Sequence, residues 1–170
     1  ASGVFMYSSN GQRYMDLIAG ISVSNVGHCH PKVVEAIKTQ ADKHLHLMVY
    51  GEYIQSPQVA FAKALTACLP ASLDSVYFVN SGSEAVEGAI KLAKKATGRS
   101  RMICFENAYH GSTNGALSLM GNEKFKAPFY PLLPETSTIR LNKEEDLKNI
   151  DSNVAAVFLE TIQGEAGIRV

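Results

Sequence analysis

Four short apolar segments, each separated from the next by a helix-compatible stretch, constrain this chain more than any other feature. Residues 76–79, 101–105, 138–141 and 154–159 read as strands, with helices expected over 83–97 and 112–120 and a helical turn or two over 144–150. A strand buried on both faces reads as an unbroken apolar run, whereas one wetted on a single face alternates. The pattern therefore predicts an α/β fold with a mainly parallel sheet covered on both sides. Upstream, residues 4–7 and 12–17 flank Ser8-Ser9-Asn10-Gly11 as a hairpin, its Asn-Gly pair suited to positive φ. Residues 20–30 read as loop. Pro31 opens a helix to about residue 47, with Val34, Ile37, Ala41 and Leu45 at helical spacing. Pro57 opens another, in which Phe61, Leu65 and Leu69 share a face before Pro70 ends it. The expected organisation is an N-terminal segment over 1–47 and a larger unit over 48–170.

Composition excludes several function classes. Sixteen basic residues balance sixteen acidic ones, so no excess charge draws the chain to nucleic acid or anionic lipid. Its apolar runs are too short to span a bilayer. A hydrophobic share of 46% with only 19% charged residues argues against disorder and points to surface covered by another molecule. Cys29, Cys68 and Cys104 are odd in number and irregular in spacing, and the first residues lack a secretory pattern, so a reducing, cytoplasmic location is expected. The buried strand over 154–159 needs neighbours and crossovers, and with only Glu160 to Val170 after it the expectation is a piece of a longer chain.

Three polar loops carry the candidate chemistry. Asn80-Ser81-Gly82-Ser83-Glu84-Ala85 lies between a strand and a helix. Gly82 lets a ligand approach the backbone closely, and the unpaired N–H groups of a helix start suit an anion such as phosphate. The competing reading is plain capping, since Ser81 and Glu84 are spaced as a capping box, and Glu84 and Glu87 oppose an anion unless their carboxylates point away. Glu106-Asn107-Ala108-Tyr109-His110-Gly111-Ser112 follows the next strand, offering Tyr109 to stack on a planar ligand and His110 and Ser112 as polar contacts, whereas the loop taken alone reads first as Tyr109 packed beneath it and His110 satisfying backbone groups. Glu160-Thr161-Ile162-Gln163-Gly164-Glu165-Ala166-Gly167 follows the last. Gly27-His28-Cys29-His30-Pro31 has metal-binding residue types but no second ligand pair at finger-like spacing, so no metal site is expected. Ser81 lacks the glycine two residues before it that a hydrolase elbow needs.

Together with Asp16-Leu17-Ile18-Ala19-Gly20-Ile21 and Gly27-His28-Cys29-His30-Pro31, these loops resemble, in order and spacing, the class III aminotransferases of the pyridoxal-phosphate fold type I. The resemblance implies that this chain is the first part of such an enzyme, with the large domain's parallel sheet incomplete. It implies pyridoxal 5'-phosphate as cofactor, an amino-acid or amine donor, a 2-oxo acid acceptor, a ping-pong Schiff-base mechanism and a homodimer. Ser81, Gly82 and Ser83 would cup the phosphate, Tyr109 would stack on the ring with His110 beside it, and Glu160 would support the pocket from beneath. Glu165 would gate the substrate carboxylate. Ser112 stands where acetylornithine, ornithine and 4-aminobutyrate enzymes usually carry an arginine that grips a substrate carboxylate, which disfavours those substrates, and Thr161 replaces a usual proline. No catalytic residue is expected within 1–170, because the Schiff-base lysine of the family falls past Val170, so this segment alone should be inactive. Alternatives are an aminomutase or decarboxylase of the same superfamily, or a non-catalytic phosphate-binding α/β module.

Overall fold

The computed structural model describes residues 1–48 and 51–170, which form two compact units, Ala1–Ala71 and Ser72–Val170. In the first unit, β1 (Phe5–Tyr7) and β2 (Arg13–Met15) pair antiparallel as the expected hairpin. Of the turn pair Asn10-Gly11, only Gly11 takes a positive φ, at 83°. The segment read as loop contains a four-residue left-handed turn, α1 (Ala19–Ser22), with φ between 51° and 62° from Ala19 to Ser22. Such a turn costs about 1–2 kcal/mol for each residue carrying a Cβ. The Asp16 carboxylate holds its entry, accepting from the Ile18 and Ala19 amides at 3.1 and 2.9 Å and meeting His28 Nε2 at 2.7 Å. These bonds hold the Asp16 carboxyl below the usual range, the His28 contact being the largest cause.

α2 (Pro31–Lys43) stops four residues short of the expected end. His44 is extended at φ −170°, and the Gln40 side chain caps the last turn by donating to His44 O at 3.0 Å. His44 and His46 therefore lie past the last turn of the helix. α3 (Ser56–Thr66) also ends early, with Cys68 and Leu69 in the turn that closes it.

The second unit holds the sheet. α4 (Gly82–Thr97) and β3 (Arg101–Phe105) fall where the pattern placed them. After them come α5 (Asn114–Ser118), α6 (Glu123–Lys126) leading into a 3₁₀ turn at Ala127–Phe129, β4 (Thr136–Ile139), a second 3₁₀ turn at Glu144–Asn149, and β5 (Val154–Val157). The strand order is β4-β3-β5, all parallel, so β3 is central and the chain crosses over it between β4 and β5. Alternation along β3 feeds two cores. Met102 and Cys104 meet Ile90 of α4 and Leu119 on one face, whereas Ile103 meets Ile139 and Val154 on the other. Burial pushes the Cys104 thiol up to about 11.

Residues 76–79 are a correction. They read as a strand but form no ladder among the described residues, and Tyr77, Phe78 and Val79 are exposed. An apolar run becomes a strand only when a neighbouring edge supplies a ladder of hydrogen bonds, and no such ladder forms among the described residues.

Candidate active site

All three candidate loops belong to the second unit, and hydrogen bonds join them at one edge of the sheet. Ser81 caps α4 from an extended backbone, its Oγ accepting from the Glu84 amide at 3.2 Å. The Glu84 carboxylate reaches back to the Asn80 amide at 2.6 Å, one residue earlier than a standard capping box. The first backbone bond of the helix runs from Ala85 to Ser81 O. Among the described residues, the Gly82 and Ser83 amides find no acceptor. A Cβ built at Gly82 would meet nothing within 4 Å, so open space lies over the positive end of a 16-residue helix.

The two acids that opposed an anion are engaged elsewhere. Glu84 is spent on Asn80. Glu87 Oε1 accepts from Thr113 Oγ1 at 2.6 Å and from the Gly115 and Ala116 amides at 2.8 and 3.3 Å. Capping and anion binding are thus compatible at this helix start: one hydroxyl and one carboxylate stabilise the turn and leave two amides unpaired.

The loop after β3 crosses that helix start. The Ser112 amide donates to Ser83 Oγ at 3.4 Å, and Gly111 adopts φ +122° with a built Cβ only 2.2 Å from the same hydroxyl. Gly111 is therefore a site residue that the motif contained without a role. From the other side, the loop after β5 grips the same segment twice. Glu160 Oε1 accepts from the Tyr109 amide at 2.8 Å while Oε2 accepts from the Gly164 amide at 3.3 Å. Gln163, 1% exposed, donates through Nε2 to Glu106 O at 2.9 Å. Sequence reading missed Gln163, because a buried amide in a Gly-rich loop looks like any solvated one.

Tyr109 is 45% exposed, its ring unspent on the core. His110 is half-buried with its ring edge-on to Phe158 at 6.1 Å, and burial lowers its pKa below the ordinary 6.5 against an opposing pull from Glu160. His110 Nε2 and Gln163 Oε1 are buried without a partner among the described residues. Two orphaned polar atoms, two unpaired amides and an exposed aromatic ring suit a planar anionic ligand better than an ordinary loop cluster. Glu165 and Ser112 are exposed on the loops that border this place. The Gly27–His30 stretch is used differently, in the first unit, where His28 pairs with Asp16.

Comparison with known proteins identifies the family. The chain is 44% identical over 169 residues to an acetylornithine aminotransferase of Methanopyrus kandleri, covering 99% of this chain and 43% of that one. It superposes on an ornithine aminotransferase from Toxoplasma gondii, described with partial occupancy of PLP at its active site, with a TM-score of 0.83 and 31% identity over 99% of this chain. It also superposes on a taurine:2-oxoglutarate aminotransferase from Bifidobacterium kashiwanohense in complex with PLP and glutamate, with a TM-score of 0.81 and 27% identity over 95% of this chain. The chain spans 42–43% of the length of these three proteins. The family model for Aminotransferase class-III matches residues 1–170, and the chain accordingly belongs to the class III aminotransferases.

Proposed function

We propose that this chain holds pyridoxal 5'-phosphate and contributes the anchoring half of an active site that moves an amino group from an amino acid or amine to a 2-oxo acid. The observation that carries the reading is the pair of unpaired amides at Gly82 and Ser83, where a Cβ built at Gly82 meets nothing within 4 Å and Ser83 touches the loop that carries the exposed Tyr109. Bound there, the cofactor supplies a carbonyl carbon that takes up the amino group and a ring that draws off the electron pair left on the donor carbon.

The residues of this chain bind and orient. The Gly82 and Ser83 amides, with the Ser81 and Ser83 hydroxyl protons, donate to phosphate oxygens, and the α4 dipole favours their charge. Tyr109 covers one face of the ring. His110, kept neutral near pH 7 by burial, borders that ring. Glu160 holds the Tyr109 backbone in place, and Glu165 and Ser112 face the substrate side. No catalytic residue is placed within 1–170. The test is titration of the full chain with pyridoxal phosphate, followed by absorbance. Gly82→Val should abolish specific binding because its side chain fills the open space over the amides. Unchanged affinity in that variant would sink the placement.

A homodimer is part of the same proposal. An open groove along α2, lined by Val33, Ile37, Ala41 and Leu45, and the low charge content support a covered surface there. Sedimentation of the full, active protein as a monomer at micromolar concentration would refute it. The three free cysteines support a cytoplasmic location, which localisation of the tagged full protein checks.

A further inference from the structure

Glu87 touches none of the groups assigned to the cofactor, yet its carboxylate is among the most heavily used in the chain. One oxygen accepts from Thr113 Oγ1, Gly115 N and Ala116 N, at 2.6, 2.8 and 3.3 Å. The other faces Gly115 so closely that a Cβ built there would stand 2.2 Å from it. Three donors on one oxygen, against a glycine with no room for a methyl, are not the surroundings of a solvated surface acid.

The contact also answers a local need. α5 is only five residues long, and the Thr113 hydroxyl at its N-cap makes no capping bond. Thr113 turns that hydroxyl onto Glu87, and Glu87 in turn accepts from the Gly115 and Ala116 amides in the first turn of α5. The cap of α5 is therefore supplied by α4. That fixes the segment leaving Tyr109-His110-Gly111-Ser112 against the helix whose first turn carries the unpaired amides. The Ser112 to Ser83 bond and the fit of Gly111 on Ser83 hold the last two of those four residues against the same helix, while Glu160 holds the Tyr109 amide at their start.

We propose that Glu87 is a positioning residue for the cofactor: by pinning Thr113, Gly115 and Ala116 to α4, it sets the place of Tyr109 relative to Gly82 and Ser83. The inference rests on the anion-cup reading of Gly82 and Ser83. A ring and a phosphate on one rigid ligand must be met by two protein elements at a fixed separation, and Glu87 is the charged tie between those elements.

The test uses the full chain, titrated with pyridoxal phosphate, with amide exchange of the cofactor-free protein and its melting temperature followed alongside. Glu87→Ala should weaken cofactor binding about tenfold and speed exchange across residues 109–116, with Glu87→Gln recovering most of both. Gly115→Ala displaces the carboxylate and should reproduce the loss. The double variant Glu87→Ala, Gly115→Ala should then lose no more than either single one, the mark of a shared contact. If Glu87→Ala does not fold, Glu87→Gln and Thr113→Val carry the test, the latter removing one donor of three and giving a smaller loss. A lowered melting temperature with unchanged cofactor affinity, or fully additive losses in the double variant, overturns the proposal. Gly82→Val separates the two readings. If it leaves affinity unchanged, the anion cup fails and takes this proposal with it. If it abolishes binding while Glu87→Ala retains it, only the positioning role fails.

Discussion

Replacing Gly111 by alanine tests how tightly the loop after β3 is fitted to the start of α4. At φ +122° the backbone lies where residues with a Cβ rarely go, at a cost of about 1–3 kcal/mol. The added methyl would also stand 2.2 Å from Ser83 Oγ, 2.9 Å from Ser83 Cβ and 3.1 Å from Ser83 Cα. The serine rotamer can clear the first contact, but the other two require the loop to move, and overpacking of this kind costs about 1–3 kcal/mol. Gly111→Ala should therefore lower the unfolding free energy by roughly 2–6 kcal/mol if the loop stays, or by less if it lifts from α4 and gives up cofactor affinity instead. Adding Ser83→Gly removes the two closest atoms but neither the contact with the Ser83 backbone nor the strained φ, so it should restore only part of the loss. Urea unfolding of the full chain, with a pyridoxal phosphate titration on the same samples, reads both outcomes. Gly82→Ala is the control, since its methyl meets no protein atom and should leave stability within about 0.5 kcal/mol. If Gly111→Ala matches the parent in both stability and cofactor affinity, the close fit is not real.

Cofactor affinity should fall further in Ser83→Ala than in Tyr109→Ala, because a charge-assisted bond contributes about 1.5–3 kcal/mol and a ring stack about 0.5–1.5; titration of both variants ranks them. Burial lowers the His110 pKa below 6.5, so on acidification the unfolded chain takes up this proton first. Its contribution is thus fully present above pH 6.5, is lost as pH falls from there toward the folded pKa, and changes no further below it. His110→Gln should flatten unfolding free energies measured across that window. With its thiol held up to about 11 by burial, Cys104 should be the last of the three cysteines alkylated at neutral pH, as mass mapping over time would show.

What was legible in the sequence was local. The apolar run at Arg101–Phe105 and the helix behind Ser81 are written in neighbouring residues, one in continuous burial and the other in a cap and a 3.6-residue period. The three polar loops could be placed because strands and helices alternate around them. Residues 76–79 read like a buried strand but form no ladder among the described residues, since pairing is decided by what lies alongside and not by the run itself. α2 was read too long because the bond that ends it, from Gln40 to the His44 carbonyl, leaves the hydrophobic period unchanged. The joining of the site is wholly tertiary. Glu87 meets Thr113, Gly115 and Ala116 from 26 to 29 residues away, Glu160 meets Tyr109 across 51, and Gln163 meets Glu106 across 57. Gly111 needs to be glycine because the loop takes φ +122° there and because Ser83 arrives beside it. By itself the sequence determined which residue types stand at strand ends and helix starts. Only the parallel register, with β3 between β4 and β5, decided which of them meet, because a period along one chain carries no information about the separation of two chain segments in space.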